Sequence, residues 1–296
     1  MILSQCHKMQ KSPFEQSISY ILLLFVKTGT LIVLNNNVDQ KRKVFMKILS
    51  LIVALCLISG SAIAADVDAK QLLLNMAKKV AETKQYSVTI HMGYDVVQES
   101  GQKIEFNEIR KITVDRPNRI RTYVTQSDGD TGQFIFDGKV ITLSNASENV
   151  YAQTEHPGDL DSAIRYAVAT MGIRVPLARF LTTTFPAYLQ RVVTSEVVYI
   201  EENTLGAMPT DHITGQLEDV DYQFWIAKDL LPWRIVLTYK KAPGQPQFWA
   251  EFSDWNLAPK ISAQTFIFKP AKGAEKIPSM LPVIESEATK KTQGGS

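Results

Sequence analysis

Three histidines, His91, His156 and His212, lie in residues 65–296, and both cysteines, Cys6 and Cys56, precede them. A protein metal site needs imidazole, thiolate or carboxylate ligands converging at short spacings, and no His-x-x-x-His pair or cysteine site meets that need. Glu155-His156 with Asp159 and Asp161 is the best cluster, yet a polar loop leading into a helix has the same composition, and no metal is expected there. His91 falls on the polar face of a strand and His212 at a strand start. Asp128-x-Asp130-x-Gly132 matches the opening of a calcium loop but lacks the later ligands and the closing glutamate, so a turn is expected. Gly-x-Ser-x-Gly, Gly-x-Gly-x-x-Gly and Gly-x-x-x-x-Gly-Lys are missing from this part of the chain. The carboxylate pairs Asp219/Asp221 and Glu201/Glu202 fall in or beside strand turns, where solvation accounts for them. No catalytic residue, cofactor or metal is expected, and the chain does not read as an enzyme.

The aromatic residues carry more information. Tyr86, Tyr94, Phe106, Phe134, Phe136, Tyr222, Phe224, Trp233, Tyr239 and Phe252 sit at positions that read as the inward face of strands. Two readings follow from that placement. Either they fill a core, as large aromatics usually do, or a curved sheet this rich in rings encloses an apolar cavity that these ten residues line.

The elements that must position them are mostly strands. Residues 86–96 alternate with period two, Tyr86, Val88, Ile90, Met92, Tyr94 and Val96 on one face. Ser100-Gly101 turns the chain, and 103–115 returns with Ile104, Phe106, Ile112 and Val114 before Pro117 stops it. Strands at 119–126, 133–136, 139–143 and 150–154 follow, with Asp137-Gly138 as a tight hairpin turn. A second run comprises 195–201, 212–218, 220–226, 233–240, 248–255 and 265–268. Helical spacing appears in 66–84, with Asp66 or Asp68 as N-cap. It reappears in 160–171, and a short second helix is expected over 175–181 with Pro176 at its start. About six strands, a helical insertion and about six more strands predict a single domain over residues 65–270. A sheet that long must curl to bury its apolar face, so the fold class is mainly β with α. The expected form is an open antiparallel half-barrel covered by an N-terminal helix and a mid-chain helical lid. The proline-bearing stretch 271–296 is expected to be loose or disordered.

Ahead of that domain, Lys41-Arg42-Lys43 and Lys47 flank Met46, an apolar run covers 48–58, and Ser61-Ala62-Ile63-Ala64 ends it. These are the three parts of a secretory signal peptide over 46–64, with cleavage expected after Ala64. The run is too short to span a bilayer, which needs about twenty residues. Residues 1–45 then read as a misassigned upstream extension. Setting 1–64 aside removes seven of the 32 Lys and Arg and two of the 30 Asp and Glu, leaving 25 basic against 28 acidic residues. The +2 of the whole sequence thus becomes −3, which argues against nucleic acid as a partner. Periplasmic export and a thiol-free domain together require stabilisation by a core rather than by disulfides.

Phe136-Asp137-Gly138-Lys139, then Asn149-Val150-Tyr151-Ala152, resemble the first signature of a family of predicted periplasmic proteins catalogued as domain of unknown function 2092. Leu231-Pro232-Trp233-Arg234 with Thr238-Tyr239, Phe252-Ser253-Asp254-Trp255-Asn256, Phe266-Ile267-Phe268-Lys269-Pro270 and Gly273-Ala274 are similar to its later ones. The resemblance implies the lipoprotein-carrier fold, the LolA/LolB-like half-barrel, whose members hold the acyl chains of lipoproteins or act as envelope sensors that bind a regulator. The chain departs from that pattern in two places. No motif matches the carrier's lid-locking residues, and Cys56 follows Leu55 inside an apolar run, a context unsuited to LolB's lipid anchor.

The leading functional expectation is an exported binding protein, carrier- or chaperone-like and monomeric. It would hold a lipid, an acyl chain (lipoprotein acyl chains among them) or another apolar small molecule on its concave aromatic face. The alternatives are an envelope interaction or sensor module with a filled core that binds a partner protein, and a hydrolase with an unrecognised site.

Overall fold

The first helix, α1 (Ala69–Glu82), starts where the Asp68 carboxylate accepts a hydrogen bond from the Gln71 N–H at 2.8 Å, which satisfies one of the helix's orphan donors. The computed structural model describes residues 67–173, 175, 177–204, 208–280 and 285. The upstream stretch 1–45 and the signal segment 46–64 lie outside the described residues.

Twelve strands follow α1, all in one sheet. β1 (Gln85–Val97) and β2 (Lys103–Asp115) pair along their whole lengths, and β3 (Arg119–Gln126), β4 (Thr131–Phe136), β5 (Val140–Asn145) and β6 (Val150–Glu155) extend the meander. A helical excursion comes next: α2 (Leu160–Ala169), a 3-10 turn at Ala178–Leu181, and α3 (Phe185–Val192). The chain then lays down β7 (Val197–Asn203), β8 (Thr210–Gln216), β9 (Val220–Ala227), β10 (Pro232–Tyr239) and β11 (Gln247–Asn256). A second 3-10 turn at Ala263–Phe266 precedes the two-residue β12 (Glu275–Lys276). The order across the sheet is β12-β6-β5-β4-β3-β2-β1-β11-β10-β9-β8-β7. β1 therefore joins two meanders, and the end strands do not pair, so the sheet is an open half-barrel.

Register fixes which side chains share the inner face, because alternate residues point to opposite sides. One row runs Tyr86, Val114, Ile120, Phe136, Ile141 across β1 to β5. Leu73, Met76, Ala77 and Val80 of α1 join Tyr86, Ile120, Phe136, Phe252 and Ile213 in one apolar cluster. Among the described residues no helix is long and apolar enough to cross a membrane.

Three local expectations are replaced. Residues 265–268 read as a strand, but Ala263–Phe266 is a 3-10 turn. Its carbonyls are met by a side chain instead of a ladder: Arg121 Nη1 donates to the Thr265 carbonyl at 2.9 Å, and Arg119 lies over the Phe266 ring at 5.0 Å. The helix expected over 175–181 is the 3-10 turn Ala178–Leu181. The helix α3 was not expected at all. Its eight residues bury only Phe185 and Leu189, an i, i+4 pair too short to show a period in the sequence. In residues 271–280, the start of the stretch expected to be loose, β12 pairs parallel to β6 through Glu275 with Val150, and Met280 packs on Leu143 and Ala152, while 281–284 and 286–296 lie outside the described residues.

Two predictions follow from these contacts. Leu73→Ala empties a fully buried position and should lower stability by roughly 2–5 kcal/mol in denaturant titration, whereas Lys78→Ala on the exposed side should change it by less than about 0.5 kcal/mol. Asp159 caps α2, its Oδ1 accepting from the Ser162 N–H at 2.7 Å. That bond holds its carboxyl below the ordinary value. A depressed folded value means the contribution is complete above the unfolded value and is lost as pH falls through the folded one. Asp159→Ala should therefore cost about 1 kcal/mol at neutral pH, and the gap to the parent chain should close progressively below about pH 4.

Candidate functional site

The inner face divides into a filled part and an open part. Tyr86, Phe136 and Phe252 are fully buried in the cluster beneath α1. Beyond them the wall formed by β1 to β5, β10 and β11 stands away from its cover. A cavity of about 890 Å3 remains between them, inside the ~300–1,000 Å3 range of small-molecule sites. Its roof is Ile164 and Val168 of α2 with Ile173, Val175, Leu177 and Phe180 from the segment after it.

The ten aromatic candidates are distributed over both parts. Tyr94, Phe134 and Tyr239 line the cavity. Tyr86, Phe136 and Phe252 belong to the filled part. Burial pushes the Tyr86 hydroxyl up to about 12, against the opposing pull of the nearby Arg116 guanidinium. Tyr222 and Phe224 are buried on β9, edge to face at 5.8 Å. Tyr222 closes against Gly215, where a Cβ would lie 2.3 Å from its hydroxyl. Phe106 stacks on Tyr94 at 6.2 Å along the β1–β2 hairpin. Trp233 is half-buried at a register irregularity between Pro232 and Arg234 and does not line the cavity. Nor do the other tryptophans. Trp225 stacks on His212 at 4.1 Å, Trp249 meets His91 at 4.9 Å, and Trp255 packs on Tyr86 while donating to the Pro232 carbonyl.

The sequence reading passed over a charged pair in the cavity wall. On β2 the inward positions run Ile104, Phe106, Glu108, Arg110, Ile112, Val114. The apolar list skipped the middle two, and that gap in the alternation was the available signal. Arg110 Nε donates to Glu108 Oε1 at 2.7 Å, and both residues line the cavity. Glu108 is only 8% exposed. Across the sheet Glu108 lies between Met92 and Gln126, and Arg110 between Ile90 and Val124.

Within the cover, α2 is bonded to the segment that follows it. Asp161 in α2 is buried, and its two carboxylate oxygens accept from the Thr183 N–H at 3.0 and 3.1 Å while Thr183 Oγ1 donates at 2.6 Å. Between these anchors Leu177 adopts a left-handed backbone with φ 58°, a conformation costing roughly 1–2 kcal/mol for a residue with a branched side chain.

The other polar groups have local roles. Among the described residues no three His, Cys, Asp or Glu side chains converge to hold a metal ion. His156 stacks on Tyr166 at 4.5 Å. The Asp130 N–H donates to Asp128 Oδ1 within its turn, and Lys240 pairs with Asp221 at 2.9 Å. At the far end of the inner face, Asp211 accepts from the Tyr199 hydroxyl and pairs with Lys228, and that bond raises the Lys228 ammonium above its ordinary value.

The model of a family described as predicted periplasmic protein (DUF2092) matches residues 69–279. No curated protein matches the chain. Among solved structures, an uncharacterized conserved protein from Thermus thermophilus is similar at 10% identity and a TM-score of 0.41, over 71% of this chain and 98% of that one. The Pseudomonas aeruginosa MucA/MucB complex is similar at 16% identity and a TM-score of 0.36, over 64% of this chain. This chain spans 57% of that matched chain's length. The LolA superfamily protein NE2245 from Nitrosomonas europaea is similar at 8% identity and a TM-score of 0.31, over 68% of this chain and 98% of that one.

The Asp161 contact generates a prediction. Asp161→Ala leaves the Thr183 N–H without its acceptor, a loss of about 1.5–3 kcal/mol for bonds to a charged group. Amide hydrogen exchange at Thr183 should accelerate by about ten-fold or more, while exchange in β1 and β2 stays within a few-fold of the parent.

Proposed function

The chain belongs to the family of predicted periplasmic proteins (DUF2092) that its residues 69–279 match, and from that membership we propose a non-catalytic, exported binding protein that encloses an acyl chain or another apolar molecule. The observation that carries this reading is the cavity of about 890 Å3 between the concave sheet and the segment after α2. Met92, Phe134, Leu143, Ile173, Leu237 and Phe248 present apolar surface to it. Burial of a ligand's apolar surface against that wall supplies the driving force, at ~25 cal/mol per Å2. Without a ligand the same wall would face water, a state the filled part of the inner face avoids.

A second reading, an envelope module that binds a partner protein, draws on a different feature. β7 ends the sheet, so its outer backbone groups have no strand partner in the order, and Val198 and Ile200 on it are 42% and 48% exposed. An exposed apolar edge is a site for strand addition.

Native mass spectrometry of the chain purified from a periplasm, followed by solvent extraction, tests the first reading. A discrete extra mass that extracts as lipid is the expected outcome. Val124→Trp, which fills the cavity wall, should abolish that mass without unfolding the chain. A bare mass that incubation with acyl chains leaves unchanged would sink the cavity reading and favour the second. Tryptophan fluorescence is a poor reporter here, since none of the four indoles lines the cavity.

A further inference from the structure

Glu108 and Arg110 sit where the fold needs neither of them. Their neighbours on the same face of β2, Ile112 and Val114, are buried apolar residues of the core. Removing two opposite charges from water costs several kcal/mol per ion, and a pair of this kind is often no more stable than apolar residues of equal size. Among the described residues the pair bonds to no lid segment, turn or helix end. Among those residues its bond is the internal one, from Arg110 Nε to Glu108 Oε1. The pair therefore faces the cavity with a guanidinium edge that donates beside a carboxylate oxygen that accepts.

We infer that the ligand of this cavity is an uncharged amphiphile whose head group both accepts and donates hydrogen bonds, a hydroxyl- or amide-bearing acyl compound, with that head seated at Glu108 and Arg110. The inference rests on the cavity reading above and names the ligand class for the same site. Three features of the wall select an uncharged head over a free fatty acid or another acidic lipid.

Charge balance is the first. The Arg110 cation is already neutralised by Glu108 at 2.7 Å. Asp95, the remaining charged residue of the lining that is described, is also acidic and is held by Lys103 at 3.6 Å and by the Gln247 N–H at 2.9 Å. A ligand carboxylate beside Glu108 would place two negative charges on one guanidinium against a half-buried wall, where like charges repel and the second gains no counter-charge of its own. Complementarity is the second. A hydroxyl or primary amide accepts from the guanidinium and donates to the carboxylate, meeting both halves of the pair. Space is the third. In the row of Arg110 the register runs Val124, Gly132, Asn145, and Gly132 places no side chain there. A Cβ at that position would lie 2.7 Å from the Ser144 carbonyl oxygen. The wall beside the pair thus stays low, while Phe134 and Leu143 on one side and Tyr94 and Phe248 on the other remain for the chain.

The test uses the full chain near neutral pH with a neutral fluorescent probe, N-phenyl-1-naphthylamine, displaced in turn by 1-monolauroylglycerol and by laurate. These two ligands share a chain and differ in the head. The parent protein should bind the glyceride about ten-fold or more tightly than laurate. Glu108→Gln frees the guanidinium from its counter-charge, so laurate should gain about ten-fold and the preference should vanish or reverse. Arg110→Gln leaves the carboxylate alone, and laurate should weaken further. Unchanged probe affinity in each variant shows that the cavity has folded. Equal displacement by both lipids in the parent, or a preference that Glu108→Gln does not move, overturns this inference while leaving the cavity reading in place. Failure of the probe and of both lipids to bind the parent overturns the cavity reading, and this inference with it.

Discussion

Coverage of one apolar sheet face is the constraint on which the rest of this structure depends. Twelve strands present an inner face far larger than α1, α2 and α3 can cover, with 14, 10 and 8 residues respectively. Apolar surface left in water costs free energy in proportion to its area. The sheet therefore curls so that part of the face covers itself, and α1 closes the deepest part over Tyr86, Ile120 and Phe136. The rest is roofed by an irregular segment that spans the gap without filling it. A cavity is the geometric remainder of a large sheet and a small cover.

Much of this was legible in the sequence because its signals are local. Long period-two runs mark β1, and Asp-Gly marks the β4–β5 turn, where Gly138 takes φ 98° as a tight turn demands. The N-cap Asp68, one of the two aspartates read for that place, falls at a helix start for the same reason, a side-chain oxygen placed to meet an early N–H. What escaped depends on distant partners. α3 is too short for periodicity and is held by contacts with α1 and the Ala178–Leu181 turn. The 3-10 turn at Ala263–Phe266 replaces an expected strand because Arg121, some 144 positions earlier in the chain, supplies donors to its carbonyls.

The site was legible to a similar depth. Alternation placed Tyr86, Tyr94, Phe134 and Phe252 on the inner face, but it carries no information on distance to the opposite wall. Rings at Tyr86 and Phe252 meet Trp255 at 5.6 and 6.0 Å, while Tyr94 and Phe134 line the cavity, and nothing in the strand pattern distinguishes them. Glu108 and Arg110 escaped for the opposite reason. Charged residues inside an otherwise apolar alternation look like a break in the strand, whereas the register keeps both on the inner face. The positions where a strand departs from its own pattern are those where the wall acquires polarity.

The cover and the wall also differ in how firmly they are held, and that difference bears on how a ligand enters. β1 and β2 share thirteen paired positions, so opening the wall would break a cooperative ladder. The described residues between α2 and α3 have no strand partner; a carboxylate at Asp161 accepts from Thr183 at the far end, and Leu177 sits in a costly backbone conformation. Local opening follows the least protected region of a structure. On the proposed binding function, the cover and not the wall is therefore the side by which a ligand would enter. The Glu108–Arg110 pair lies on the wall, fixed in the β2 ladder, so the proposed head-group site belongs to the paired strands and not to the cover.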